Sequence, residues 1–506
     1  MMRSLVSLSL LIAVGCGGSA PPASTPAPTN PPAVAPRSTD VLGARPVPGK
    51  PAAFLPRTPK TTTQEKLAFW VDERHVLPEV SLAIVLPHGS AEDPQGKNGL
   101  AAFTGRMLEQ GAGTRSSVAL AKAFESLGAQ FSVEVYTDYT TLTLVVLSDK
   151  LAAAFALLSD VLTKPRLLPA DFARERERWK DELAASDKDP RSLFERNLLP
   201  LYFGASHPYG HARSGDHEGA AGTTLADVKA FYSRFYNAAG ATVVAVGDIT
   251  PETAGKLVAT HLGAWQKTEP KALGLRGTPK PAKAPLDAKV VYLLDRPGAP
   301  QSVVGFVADG VKSSDPITPI LGRVNAVLGG SFSSRLNQDL REERGITYGA
   351  SSRFSWHADG GLFVANAAVV ADKTGEGMRA LDDDIAKYAK EGPTDEESER
   401  SRLLTRSDLV STFESAASTV ARLARNAGVG LPADLEAASS LARDKATRTD
   451  LANLARKAFG AGARRFVVGP KDVVTPQLVQ AGYRVEAFVP PSIAPARPAA
   501  AGSRKK

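Results

Sequence analysis

One cysteine, Cys16, stands in a chain of 506 residues. No disulfide can close within the chain, and the folded part has neither a cysteine-based zinc site nor a cysteine nucleophile. An exported protein of this kind must rest on its hydrophobic core, which the length and a hydrophobic fraction of 43% allow. The apolar run from Leu5 to Val14 is too short to span a membrane. The formal charge of +8 is spread along the chain, with one small cluster at Arg504, Lys505 and Lys506. There is no basic stripe interleaved with aromatics, so no nucleic-acid site is expected; a solvated basic surface accounts for the charge. Phosphate loops are missing too: Gly329, Gly330 and Ser331 precede a predicted helix, but no Gly-Lys-Ser/Thr follows. No Ser-His-Asp arrangement can be read from sequence order alone.

What is present begins with an address. Arg3, the apolar run and small residues before Cys16 form a signal peptide. Ala13-Val14-Gly15-Cys16 resembles a bacterial lipobox, with Ala13 where Leu is usual. Lipidation of Cys16 would anchor an exported protein to a membrane through its N-terminus, on the periplasmic face. Gly17 rather than Asp follows, which by resemblance to enteric lipoproteins points to the outer membrane. The other reading is an ordinary cleaved signal with an incidental cysteine. Residues 17–57 are rich in Pro, Ala, Ser and Thr and read as a tether.

The body repeats. Asp149 and Asp372, Pro169 and Pro393, and Gly247 and Gly469 stand 223, 224 and 222 residues apart, each pair in a similar setting. Landmarks at so constant an offset indicate a duplicated domain. Each unit mixes hairpin-joined strands with grouped helices, an α+β arrangement. Predicted strands cover Val80–Leu86, Gln130–Val135 and Thr140–Leu147; predicted helices cover Asn98–Gln110, which Asn98 can cap and Gly111 can end, Ser117–Leu127 and Asp171–Ala185. The divisions are 1–16 for the signal and lipobox, 17–57 for the linker, and 58–268 for the first domain. They continue with 269–288 for a Pro/Lys/Gly-rich linker, 289–488 for the second domain, and 489–506 for a disordered basic tail.

Several ordered markers carry a resemblance. Gly89-Ser-Ala-Glu-Asp-Pro94 precedes Gly96-Lys-Asn-Gly-Leu-Ala101, and Gly111-Ala-Gly-Thr-Arg-Ser116 follows the helix between them. His207-Pro-Tyr-Gly210, Phe231-Tyr232 and Val246-Gly-Asp248 come later. From about Lys66 to Val474 the chain resembles the insulinase-like (pitrilysin, M16) metallopeptidases. The resemblance implies two homologous tandem domains forming half of a clamshell. In that family the helix carries His-x-x-Glu-His, with two histidines for zinc and a glutamate that activates water. Ala102, Gly105 and Arg106 stand at those three positions. Glu182, 76 residues beyond Arg106, matches the place of the third ligand. One carboxylate does not hold zinc, so this chain is expected to bind no metal. Glu182 is then either an exposed carboxylate or a partner for Arg106, the preferred reading, in which a fixed cation replaces a bound one. His207, His211 and His217 are close in sequence, but Pro208 and Gly210 oppose the helix that would align them.

The second unit carries a positive signal. Leu328-Gly-Gly-Ser-Phe-Ser-Ser-Arg-Leu336, followed by Leu340-Arg-Glu-Glu-Arg-Gly-Ile-Thr-Tyr348, resembles the family segment in which an arginine and a tyrosine seven residues later reach the zinc site. There they bind substrate backbone and help stabilise the oxyanion. Arg341 and Tyr348 match. Ser331–Glu343 reads as a helix closed by Gly345, with Tyr348 on the following strand. Without the resemblance, Arg341 would simply complement the helix dipole and Tyr348 would be a strand aromatic.

A lost zinc motif beside a retained pair resembles the zinc-free subunit of the family's two-chain assemblies. The resemblance implies a homologous zinc-bearing partner and peptide substrates, with Arg341 and Tyr348 acting in trans and no activity for this chain alone. The alternatives are an inactive peptide-binding or scaffolding envelope lipoprotein, and a self-sufficient protease with an unusual metal site.

Overall fold

The computed structural model describes residues 49, 51–64, 67–266, 287–459 and 462–491. The expectations for Cys16 and the signal peptide lie outside these residues, as do those for most of the tether, most of the 269–288 linker and most of the basic tail. From Ala53 onward the chain forms one compact unit; of the separate unit before it only 49, 51 and 52 are described. Among the described residues no helix is long and apolar enough to cross a membrane.

Two six-stranded sheets organise this unit. The first runs Lys60–Gln64, Leu67–Glu73, Thr242–Gly247, Glu79–Leu86, Thr140–Leu147, Gln130–Val135. The second runs Arg484–Ala487, Val290–Asp295, Ala463–Gly469, Gln301–Asp309, Gly361–Val370, Thr347–Trp356. The second to sixth positions correspond one to one, including the parallel pair that brings the closing strand beside the opening one. The first position differs. The first sheet takes an antiparallel strand from the chain before it, the second a parallel strand from the chain after it.

Central strands such as Glu79–Leu86 carry apolar residues on both faces because both faces are covered. In Glu79–Leu86, Val80, Leu82, Ile84 and Leu86 face the first half's own helices, among them Leu100–Leu108 and Leu151–Thr163. Ala83 and Val85 face the other way and pack on Val420, Leu423 and Ala424 of the helix Ala416–Gly428, which comes from the second half. The exchange is mutual. The helix Pro190–Phe203 of the first half lies on the second sheet, with Phe194 stacked on Phe466 at 5.2 Å. Two glycines permit these approaches. A side-chain carbon at Gly305 would lie 2.2 Å from the Phe194 ring, and one at Gly428 would lie 2.2 Å from Tyr139. Each half therefore completes the other's sheet.

Most boundaries agree with the sequence pattern. The strands Gln130–Val135 and Thr140–Leu147 coincide with prediction, and the charged helix extends to Pro169–Ser186 with Pro169 in its first turn. Two predicted helices need correction. The first spans Leu100–Leu108, not Asn98–Gln110. The stretch Ser331–Glu343 is not one helix. A loop through Ser334 leads to one turn, Arg335–Asn337, and then to a π-helical segment, Gln338–Glu343.

Candidate functional site

The helix Leu100–Leu108 buries Leu100, Phe103, Met107 and Leu108 at helical spacing. Its cap is not Asn98. Gly99 occupies that position with φ of 93°, and the Asn98 side chain donates instead to Asp216 at 2.7 Å. The orphan amides are taken by Asp93, whose two oxygens accept from Gly99 and Ala101, both at 2.7 Å. His211 Nε2 lies 3.1 Å from the same carboxylate and 3.0 Å from the Ser90 carbonyl. A carbonyl only accepts, so Nε2 carries the proton. Burial pushes the Asp93 carboxyl up from its ordinary value, against the pull of His211 and the two amides. The helix also stops before Gly111. Glu109 turns aside to accept the Val133 amide at 3.0 Å, and Gly111 opens a short strand with φ of 127°.

The three motif positions lie on this helix, across from Pro169–Ser186. Arg106 Nη2 donates to Glu182 Oε2 at 2.6 Å, and Glu182 Oε1 accepts from Arg178 Nε at 3.0 Å. Two guanidiniums thus share the carboxylate that the family pattern would give to zinc. The pair is partly exposed, with 30% and 42% side-chain accessibility, so its worth is about 0.2–1 kcal/mol. Ala102 offers a methyl group. Gly105 sits against the edge strand, where a side-chain carbon would meet Val135 Cγ2 at 2.8 Å. A cavity of about 110 Å³ remains, walled by Ala102, Phe103, Arg106, Trp179, Glu182 and Ser214. These residues do not fit a zinc ion: the donor set is one carboxylate already held by two cations.

The second segment is built differently. Ser331 Oγ donates to the Ala326 carbonyl, and Asn337 donates to the Ser331 carbonyl at 3.1 Å while accepting the Ala350 amide at 2.9 Å. One buried amide side chain thus ties the glycine loop to the strand Thr347–Trp356. Widened turns follow, with the Arg344 amide bonding to the Asp339 carbonyl and the Ile346 amide to the Leu340 carbonyl. Gly345, with φ of 66°, ends the segment. Arg341 lies in its last turn with its guanidinium 4.5 Å from the Phe332 ring centre, and among the described residues its one ion pair is with the adjacent Glu342 at 3.4 Å. Tyr348 is 90% exposed.

The structure therefore brings Ala102, Gly105, Arg106 and Glu182 together in the first half and places Arg341 and Tyr348 in the second. The three close histidines go separate ways. His207 Nδ1 accepts the Tyr209 amide at 2.9 Å, His211 meets Asp93, and His217 bonds to Asp187 at 2.6 Å. Among the described residues no group of three or more His, Cys, Asp or Glu side chains is placed to hold a metal. Sequence reasoning missed the Asp93–His211 pair, whose members are 118 residues apart, and the contact of Phe332 with Arg341. The signal for the second was only an aromatic residue inside a quoted motif.

Comparisons with known proteins place these features. The family described as insulinase (peptidase family M16) matches residues 71–207, and the peptidase M16 inactive domain matches residues 223–404. A Mycobacterium tuberculosis protein described as an uncharacterized zinc protease is 26% identical over 395 residues, 75% of this chain and 85% of its own. A Bacillus subtilis protein of the same description is 22% identical over 365 residues, 72% of this chain and 87% of its own. The crystal structure of a peptidase M16 inactive domain from Pseudomonas fluorescens superposes with a TM-score of 0.74 at 27% identity, over 81% of this chain and 98% of that one. A Helicobacter pylori protease shares the fold, with a TM-score of 0.71 at 18% identity over 82% of this chain and 100% of its own. With two M16-type domains in tandem and homologues along most of its length, the chain belongs to the insulinase-like M16 peptidase family.

Proposed function

We propose that this chain is the zinc-free subunit of a two-chain M16 peptidase of the cell envelope, inactive alone, which supplies Arg341 and Tyr348 to peptides held against a homologous zinc-bearing partner. One contrast carries the reading. Arg106 and Glu182 neutralise each other where the metal would sit, while Arg341 and Tyr348 keep their polar groups available. A guanidinium and a phenol are donors suited to a peptide carbonyl and to the negative charge it gains when attacked. The match to an M16 inactive domain supports a partnership of this kind. In this reading zinc and the water-activating glutamate belong to the partner, the two M16 domains form half of a clamshell, and lipid on Cys16 holds the assembly at the membrane, the outer one favoured.

The test is reconstitution. The mature chain alone should leave peptides intact. Mixed with a homologous subunit carrying an intact His-x-x-Glu-His helix, it should form a complex that cleaves them. A chain that cleaves alone and is stopped by a chelator overturns the reading. A complex whose rate equals that of the zinc subunit by itself leaves this chain a peptide-binding or scaffolding protein. Palmitate labelling that survives Cys16→Ser removes the anchor from the proposal.

A further inference from the structure

We propose that Phe332 is a positioning residue for Arg341: its ring holds the guanidinium in place without occupying the hydrogen-bond donors that Arg341 offers to a bound peptide. The inference rests on the reading of Arg341 given above. An arginine that must meet a peptide carbonyl faces two opposed requirements. Its long side chain must be ordered in advance, because freezing it on binding costs side-chain entropy. Yet the usual way to order an arginine, a carboxylate, uses up its N–H groups and neutralises its charge. An aromatic face satisfies both requirements. It attracts the cation through the ring quadrupole and accepts no conventional hydrogen bond from it.

Neighbouring arginines show what Arg341 is spared. Arg335 is held by Glu397 through two bonds of 2.6 and 2.8 Å, and its guanidinium also lies over Tyr388. Arg344 is bound to Asp339 at 2.7 Å and lies 3.6 Å from Glu376. Of these three, Arg341 alone has, among the described residues, no ion pair with a carboxylate from beyond the adjacent residue, and its platform is the Phe332 ring. That ring is 72% exposed, so burial in a core does not account for it. Its loop is nevertheless fixed. The Gly330 amide bonds to the Asn325 carbonyl at 2.8 Å, and a side-chain carbon at Gly329 would lie 2.5 Å from Ser352 Oγ. Asn337 then joins Ser331, the residue before Phe332, to Ala350, two residues beyond Tyr348. Phe332, Arg341 and Tyr348 thus project from backbone segments stapled by a single side chain.

The experiment has two arms. In the chain alone, the δ-methylene protons of Arg341 are followed by NMR in arginine-labelled protein and assigned with Arg341→Lys. They should be shielded by the ring, lose that shielding in Phe332→Leu and keep it in Phe332→Tyr. An unchanged Arg341 signal in Phe332→Leu overturns the proposal. In the reconstituted complex, Phe332→Leu should lower kcat by about two- to five-fold, the worth of an exposed cation–π contact, with KM little changed. Phe332→Tyr should restore the rate, and Phe332→Leu should add nothing in an Arg341→Ala background. An equal loss in both backgrounds means that Phe332 touches the peptide itself, and the proposal is wrong. If no complex cleaves, the functional reading fails while the NMR arm still decides whether Phe332 holds Arg341.

Discussion

The two halves share a sheet order and differ in what they do with charge. In the first, the polar groups around the helix Leu100–Leu108 close on one another: Asp93 with two amides and His211, Arg106 with Glu182, Glu182 with Arg178. In the second, the segment after the glycine loop leaves Arg341 on an aromatic ring and Tyr348 in solvent. Groups paired within the chain hold the fold together, whereas donors that face solvent can exchange water for a ligand. Duplication has thus produced one half that is closed on itself and one that stays open, and the open one is where loss of a side chain should matter to activity.

Arg341→Ala should separate the halves most sharply. Turnover of the reconstituted complex should fall by about 10²–10³, the usual cost of losing one oxyanion donor, with Tyr348→Phe acting in the same direction. Arg106→Ala should leave turnover unchanged and shift stability by no more than the worth of a partly exposed pair, about 0.2–1 kcal/mol. Equal turnover in all three variants, at similar melting temperatures, would erase the contrast.

A smaller effect tests where the halves stop being separate. Gly305→Ala and Gly428→Ala each force a methyl group into an aromatic ring of the opposite half, and each should cost about 1–3 kcal/mol in chemical denaturation. Two separate unfolding transitions, each touched by only one substitution, would show that the exchanged helices do not unite the halves.

At the first-half helix, Asp93→Ala should cost about 2 kcal/mol, at the upper end for a helix cap because two amides lose their acceptor. Asn98→Ala, at the position sequence reasoning chose, should cost less. The reverse ranking would return the cap to Asn98.

The last effect is one of pH. Asp384 lies in the helix Thr374–Glu391, and its carboxyl is pushed up to about 7 by burial and by Asp339, against the pull of Arg344, Lys387 and Arg335. The folded carboxyl holds its proton to higher pH than the unfolded one, whose ordinary value is 3.8. Its contribution to stability is therefore complete below that value and lost as pH rises through 7. Urea melts from pH 5 to 8 should show this decline, and Asp384→Asn should flatten it. A slope unchanged in the variant would assign the decline elsewhere.

Local patterns were legible in the sequence: the α+β mixture, the duplication and the hairpin Gln130–Leu147 follow from periodicity and spacing, and the position of Glu182 opposite Arg106 from the family resemblance. Those signals are written into neighbouring residues or repeated at constant offset. The helix start was misread because its cap comes from Asp93, six residues before Gly99, rather than from the adjacent Asn98. The stretch 331–343 was read as one helix because its residues tolerate a helix; in the fold its start is a loop, held by Ser331 on Ala326 and by Asn337 on Ser331 and Ala350.

By itself, then, the sequence determined the family, the two-domain plan and the loss of the imidazoles at Ala102 and Arg106, since a methyl group and a guanidinium cannot bind zinc in any fold. Tertiary structure alone decided that each half lends a helix to the other's sheet, that Asp93 meets His211, and that Arg341 rests on Phe332. Each depends on side chains brought together by packing. A central strand such as Glu79–Leu86, apolar on both faces, states that it will be covered twice but not by which helix.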